Sequence, residues 1–164
     1  MAPEDALASI AEVAIGLAGF SGLVAAFGQR SGQSWRGDQK ARIIFLVALS
    51  FMVITTSLLP WAISGWTSSA SLVWGIPMVT CGALTLTSLL VWIVLSRRHG
   101  YALQFPRTSI SILSVSGALQ IAVLLSGFGV ILPHSSALFV LGLLSVLIFC
   151  ANMFLALLHM TWRD

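Results

Sequence analysis

The chain has 164 residues, of which 58% are hydrophobic and only 8% are Asp, Glu, Lys or Arg, against roughly 25% charged residues in an ordinary soluble domain. Eight basic and five acidic side chains cannot clothe a water-facing surface of this size, which excludes a soluble globular enzyme and marks an integral membrane protein. The net charge of +3 points to orientation in a bilayer rather than to nucleic acid, because of where the basic residues fall.

About 20 apolar residues in a helix cross a hydrocarbon core of roughly 30 Å. Five runs of that kind predict an all-α, single-domain transmembrane bundle with helices at about 7–27, 43–63, 72–95, 110–132 and 137–158. The first run starts on Pro3, Glu4 and Asp5, a helix-start pattern with proline in the first turn and acids on the positive end of the dipole. The same acidic leader argues against a cleaved signal peptide, which needs a basic start. Because the run contains Glu12, Gly16, Gly19 and Gly22, the alternative is four spans plus an N-terminal interfacial or re-entrant helix. Asp38 reads as the N-cap of the second helix, with Arg42 one turn on as its ion-pair partner.

All eight basic residues lie on one side of a five-span chain: Arg30, Arg36, Lys40 and Arg42 in the first loop, Arg97, Arg98 and Arg107 in the third, and Arg163 in the tail. The positive-inside rule therefore predicts the N-terminus outside and the C-terminus in the cytoplasm, with these residues meeting anionic lipid headgroups. The tryptophans fit headgroup levels. Trp61, Trp66 and Trp74 flank the outer loop, while Trp35, Trp92, Trp162 and Tyr101 fall near the inner face. Cys81 and Cys150 sit inside apolar runs and read as buried free thiols.

Within the first run Ala14, Ala18, Gly22 and Ala26 recur every fourth residue, a small-residue ridge suited to close helix packing. Glu12 is the one formally charged side chain inside any predicted span, and an intramembrane ionisable group is a functional candidate. On a helical wheel it shares a stripe with Asp5, Gly16, Gly19, Leu23 and Arg30, which in a ring of subunits would line a path for protons or small cations. The opposing reading is a protonated Glu12 bonded to a neighbouring helix, for instance at Gln120. Gln120 and Asn152 read chiefly as packing residues that bond across helices. His134 stands in an outer turn, where contact with Asp5 or Glu12 would make a pH-sensitive latch. His99 and His159 form no metal set with the cysteines, and no cofactor is expected.

The stretch Glu12 to Phe20 lines up with Gln120 to Phe128, sharing Ala14 with Ala122, Leu17 with Leu125, Gly19 with Gly127 and Phe20 with Phe128. With five spans this is either an inverted repeat of the kind found in transport folds or a chance likeness between small-residue-rich helices. Gly19, Phe20, Ser21 and Gly22 resemble the serine motif of rhomboid-type intramembrane proteases over those four residues alone. That reading is set aside because no histidine falls within a span to serve as base.

A wider set, Ala11, Glu12, Leu17, Gly19, Phe20, Gly22, Leu23, Trp35, Asp38, Arg42, Leu58, Leu59 and Pro60, resembles the front half of a group of small bacterial polytopic membrane proteins. The resemblance implies a bacterial inner-membrane location and supplies no activity. Three functional readings follow from the residues. The leading one is a non-catalytic accessory or scaffold subunit, partnered by copies of itself or by a larger membrane complex. The alternative is a homo-oligomeric proton or cation pathway through Glu12, and the remote one an intramembrane hydrolase.

Overall fold

A computed structural model describes residues 3–30, 37–98 and 107–161. The described residues form five α-helices and no strands: α1 (Pro3–Arg30), α2 (Gly37–Ser64), α3 (Ala70–Arg98), α4 (Arg107–Gly127) and α5 (Ser136–Thr161). α1, α2, α3 and α5 are long and apolar enough to cross a membrane, whereas the apolar part of α4, Ser111–Gly127, is shorter. The N-terminal run is thus a full-length helix, and the short element is the fourth.

Local chemistry explains the ends. α1 starts at Pro3 with Glu4 and Asp5 in its first turn, where proline's missing N–H costs nothing and carboxylates meet the positive end of the dipole. α3 closes on Arg97 and Arg98, the favourable charge for a C-terminus. α4 was expected to run to Leu132 but stops at Gly127. Gly129 takes a left-handed φ of 77°, and the Gly129 and Val130 amides fold back onto the carbonyls of Ser126 and Leu125 at 2.9 Å each, so orphan carbonyls are met and the helix cannot continue. Ser135 then caps α5, its hydroxyl accepting from the Leu138 amide at 3.4 Å. α2 begins one residue before Asp38, whose side chain lies outside the described set, as do those of Arg30, Arg107 and His159. Trp35, Arg36, His99, Tyr101, Trp162 and Arg163 also fall outside the described residues.

α5 is the hub. It packs against each of the other four helices, while α1 to α4 form an arc around it in chain order. α1 makes no close contact with α3 or α4, and α2 makes none with α4. Phe139, Leu143, Val146, Cys150 and Met153 of α5 interlock with Leu46, Leu49 and Val53 of α2 and Met78 and Cys81 of α3. Both cysteines are buried and free. Trp92 is buried between helices, its ring packed on Phe45 with ring centroids 4.8 Å apart. Trp61 and Trp66 do project from the bundle, and Trp74 is half-buried, edge-on to Phe139 at 6.3 Å.

The distribution of polarity is the reverse of a soluble protein's. Large apolar side chains such as Phe51, Leu90, Val115, Ile148 and Leu155 face outward, and Ser50, Thr56, Ser57, Thr85, Ser116, Gln120 and Ser126 are buried. In a lipid solvent exposed hydrocarbon costs nothing and polar groups are better placed inside the bundle. Hydroxyls return to their own helices, as Thr56 to the Met52 carbonyl (2.8 Å), Thr85 to Cys81 (2.8 Å) and Thr80 to Ile76 (2.7 Å).

Candidate functional site

Close approach within the bundle is concentrated on glycines of α3, α4 and α5. A methyl group placed at Gly127 would come within 2.9 Å of the Val79 backbone nitrogen, at Gly82 within 2.9 Å of Leu124 Cβ, and at Gly142 within 2.6 Å of Val123 Cγ2. Gly82 and Gly127 therefore let α3 and α4 approach backbone to backbone, and Gly142 makes room on α5 for the Val123 side chain of α4, the close packing that holds helices together in lipid. Gln120, fully buried, stands at the centre of that seam. Its amide nitrogen donates to the Gly142 carbonyl at 2.8 Å and to Ser145 Oγ at 3.3 Å, and its carbonyl oxygen accepts from the Cys81 thiol at 3.7 Å. Ser116 and Ser145 extend the network at 3.2 Å. One side chain thus ties α3, α4 and α5 together.

α1 is built differently. Leu7, Ile10, Ala11, Ala14 and Ser21 form its inward face, and the Ser21 hydroxyl is satisfied by the Leu17 carbonyl at 2.6 Å. The ridge expected from Ala14, Ala18, Gly22 and Ala26 turns out of the bundle as it descends: Ala14 is buried, Ala18 half-buried, Gly22 and Ala26 exposed. Asp5, Glu12, Gly16, Gly19 and Leu23 are all exposed on the face turned away from the other helices. A methyl group at Gly16, Gly19 or Gly22 would meet nothing within 4 Å. Glu12 sits nine residues into α1, about 13 Å from its start, on a surface otherwise made of Val13, Ile15, Phe20 and Leu23.

The candidate residues therefore fall into two separate places. Asp5, Glu12, Gly16 and Gly19 share one outward stripe, but Gln120 lies on a helix that α1 does not touch, so Glu12 and Gln120 do not meet within one chain. His134 stands at the α4–α5 turn against Gly75 of α3, a helix that α1 does not touch. Asn152 is half-buried on α5. Of the basic set, Lys40, Arg97 and Arg98 are exposed as expected, but Arg42 is not a lipid-facing cation. It is buried near the start of α2 alongside buried Gln39.

Sequence reasoning did not single out Gly82 and Gly142. Their signal was the presence of glycines inside strongly apolar helices, a mark of close backbone approach. Among the described residues no group of three or more His, Cys, Asp or Glu side chains is placed to hold a metal ion. A scan against protein-family models, a search of curated proteins and a search of solved structures each find no match to this chain.

Proposed function

We propose that this chain is a non-catalytic subunit of a membrane assembly and that the outward face of α1, centred on Glu12, Gly16 and Gly19, is its docking surface for another membrane helix. The carrying observation is the open space over Gly16, Gly19 and Gly22, set against the filled space over Gly82, Gly127 and Gly142. Inside the bundle, small residues beside a polar side chain are where helices meet. The same combination on α1 has no partner helix among the described residues, and an ionisable group is costly in hydrocarbon unless a partner satisfies it.

In this reading all five helices span. The apolar part of α4, Ser111–Gly127, rises only about 25 Å, so its span is completed by the polar first turn of the helix and by the apolar turn that follows Gly127, against a hydrocarbon core of about 30 Å. The N-terminus is outside and the basic loops are cytoplasmic. The front-half resemblance supports a bacterial inner membrane. The test is the double variant Gly16→Leu/Gly19→Leu. It is expected to shrink the complex extracted in mild detergent while leaving the helical content and thermal unfolding of the chain unchanged. A complex of unaltered size would overturn the assignment.

A second reading rests on Asp5 and Glu12 sharing that face. If the docked helix is α1 of another copy, the carboxylates line a route for protons or small cations. Proteoliposome flux that falls at least about tenfold in Glu12→Gln supports it, and equal flux removes it.

A further inference from the structure

We infer that the α4–α5 turn, from Phe128 to Leu132, is a membrane-inserted surface whose partner is lipid: it lies at the boundary of acyl chains and glycerol esters in one leaflet instead of projecting into water. The inference rests on the reading that all five helices span. Helix register sets the depth of the turn. A methyl group at Gly127, the last residue of α4, would come within 2.9 Å of the Val79 nitrogen, and one at Gly75 within 3.2 Å of the Gly127 carbonyl oxygen. α3 starts at Ala70, so α4 ends level with Gly75 to Val79, about 8–14 Å below the start of α3. α5 begins at a similar level, since Phe139 meets Trp74 edge-on at 6.3 Å.

The side chains of the turn match that depth. Phe128, Val130 and Leu132 are 66%, 67% and 68% exposed, and Ile131 between them is exposed as well. No Asp, Glu, Lys or Arg occurs from residue 127 to residue 139. The α2–α3 loop, at the same end of the bundle, is made instead of Gly65, Trp66, Thr67, Ser68 and Ser69, the composition of a loop at headgroup level or in water. Two connections at one end of the molecule thus differ in both height and polarity, and the deeper one is the apolar one.

The backbone is arranged for the same surroundings. Non-helical chain is costly in hydrocarbon unless its polar groups are met internally. The amides of Phe128, Gly129, Val130, His134 and Ser135 each donate to a main-chain carbonyl between Leu124 and Leu132 at 2.9–3.3 Å, the buried Ser126 hydroxyl donates to the Leu132 carbonyl at 2.6 Å, and Pro133 has no amide proton to leave unmet. The amides of Ile131 and Leu132 carry no such bond, which suits an apex at the level of the ester carbonyls. Lipid is favoured over a protein partner because the exposed side chains are bulky hydrocarbon, whereas helices in a membrane meet through small residues and polar contacts.

The test is fluorescence quenching of the full chain in sealed phosphatidylglycerol–phosphatidylethanolamine vesicles that hold it in one orientation. An environment-sensitive dye is attached at Val130→Cys, Ser68→Cys or Arg97→Cys, in a Cys81→Ala/Cys150→Ala background that unfolds at the native temperature. Aqueous iodide is expected to quench the dye at position 130 at least about fivefold less than at 68, and a lipid spin-labelled near the ester group to quench it at least about threefold more. Equal iodide quenching at 130 and 68 would overturn the assignment. Protection of 130 from both quenchers, the mark of a protein cover, would overturn it as well. Position 97 keeps the two readings apart. Iodide on one side reaching both 68 and 97 would contradict spanning itself, whereas iodide reaching 68 and 130 but not 97 would leave spanning intact and remove only the inserted turn.

Discussion

The first and fourth helices carry matching stretches, Glu12 to Phe20 and Gln120 to Phe128, and set them in opposite surroundings. In α4 the polar residue is buried and bonded to α5 through the Gly142 carbonyl, and Gly127, one heptad on, touches the backbone of α3. In α1 the polar residue is exposed and Gly19, one heptad on, faces open space. Phe20 and Phe128 are exposed in both. The difference teaches that a polar group with a glycine seven residues away marks one helix face, and that this face becomes a seam only where a second helix is delivered to it. Both helices are ends of the arc with two neighbours each, α4 meeting α3 and α5 and α1 meeting α2 and α5. α4 turns its polar face toward its neighbours, whereas α1 packs on the opposite face and leaves this one outward.

The sharpest way to break the comparison is to fill the matched glycines. Gly127→Val drives a branched side chain into the Val79 backbone and should destabilise the fold by about 2–3 kcal/mol or more, since the obstacle is main chain and cannot swing aside. Gly19→Val should change thermal unfolding of the isolated chain by less than about 0.5 kcal/mol. The next largest effect is at the polar residues. Gln120→Leu removes two donated bonds and leaves the Gly142 carbonyl with less, at about 1–2 kcal/mol by unfolding in detergent. Glu12→Gln should leave chain stability unchanged within measurement while altering association. Smallest of all, Leu155→Ala on the exposed flank of α5 should affect neither stability nor complex size beyond about 0.5 kcal/mol. Were Gly19→Val as damaging as Gly127→Val, the distinction between the two helices would fail.

Much of the architecture is legible in composition and spacing, because long apolar runs have few alternatives to helices and charge scarcity leaves few places to put loops. The start of α1 at Pro3 and the burial of both cysteines could be read directly. The end of α4 could not, because Phe128, Val130, Ile131 and Leu132 continue the hydrophobic run. The turn is dictated instead by the left-handed Gly129 and by the Ser126 hydroxyl reaching Leu132. The stripe through Asp5, Glu12, Gly16 and Gly19 was visible on a helical wheel as one face, yet a wheel does not say whether that face points in or out. Nor does sequence distinguish glycines that seat a neighbour, such as Gly82 and Gly142, from those that await one. Trp92 shows the same limit: its place near a helix end says nothing of whether the ring faces outward, and here it packs inward on Phe45.

The central claim, that the outward face of α1 is covered by protein rather than by lipid, is tested most directly by a photo-crosslinking side chain at position 19 in native membranes, with position 155 as control. Protein adducts of one defined mass from position 19, accompanied by lipid adducts alone from position 155, are the predicted result. Lipid adducts alone from both positions would contradict it.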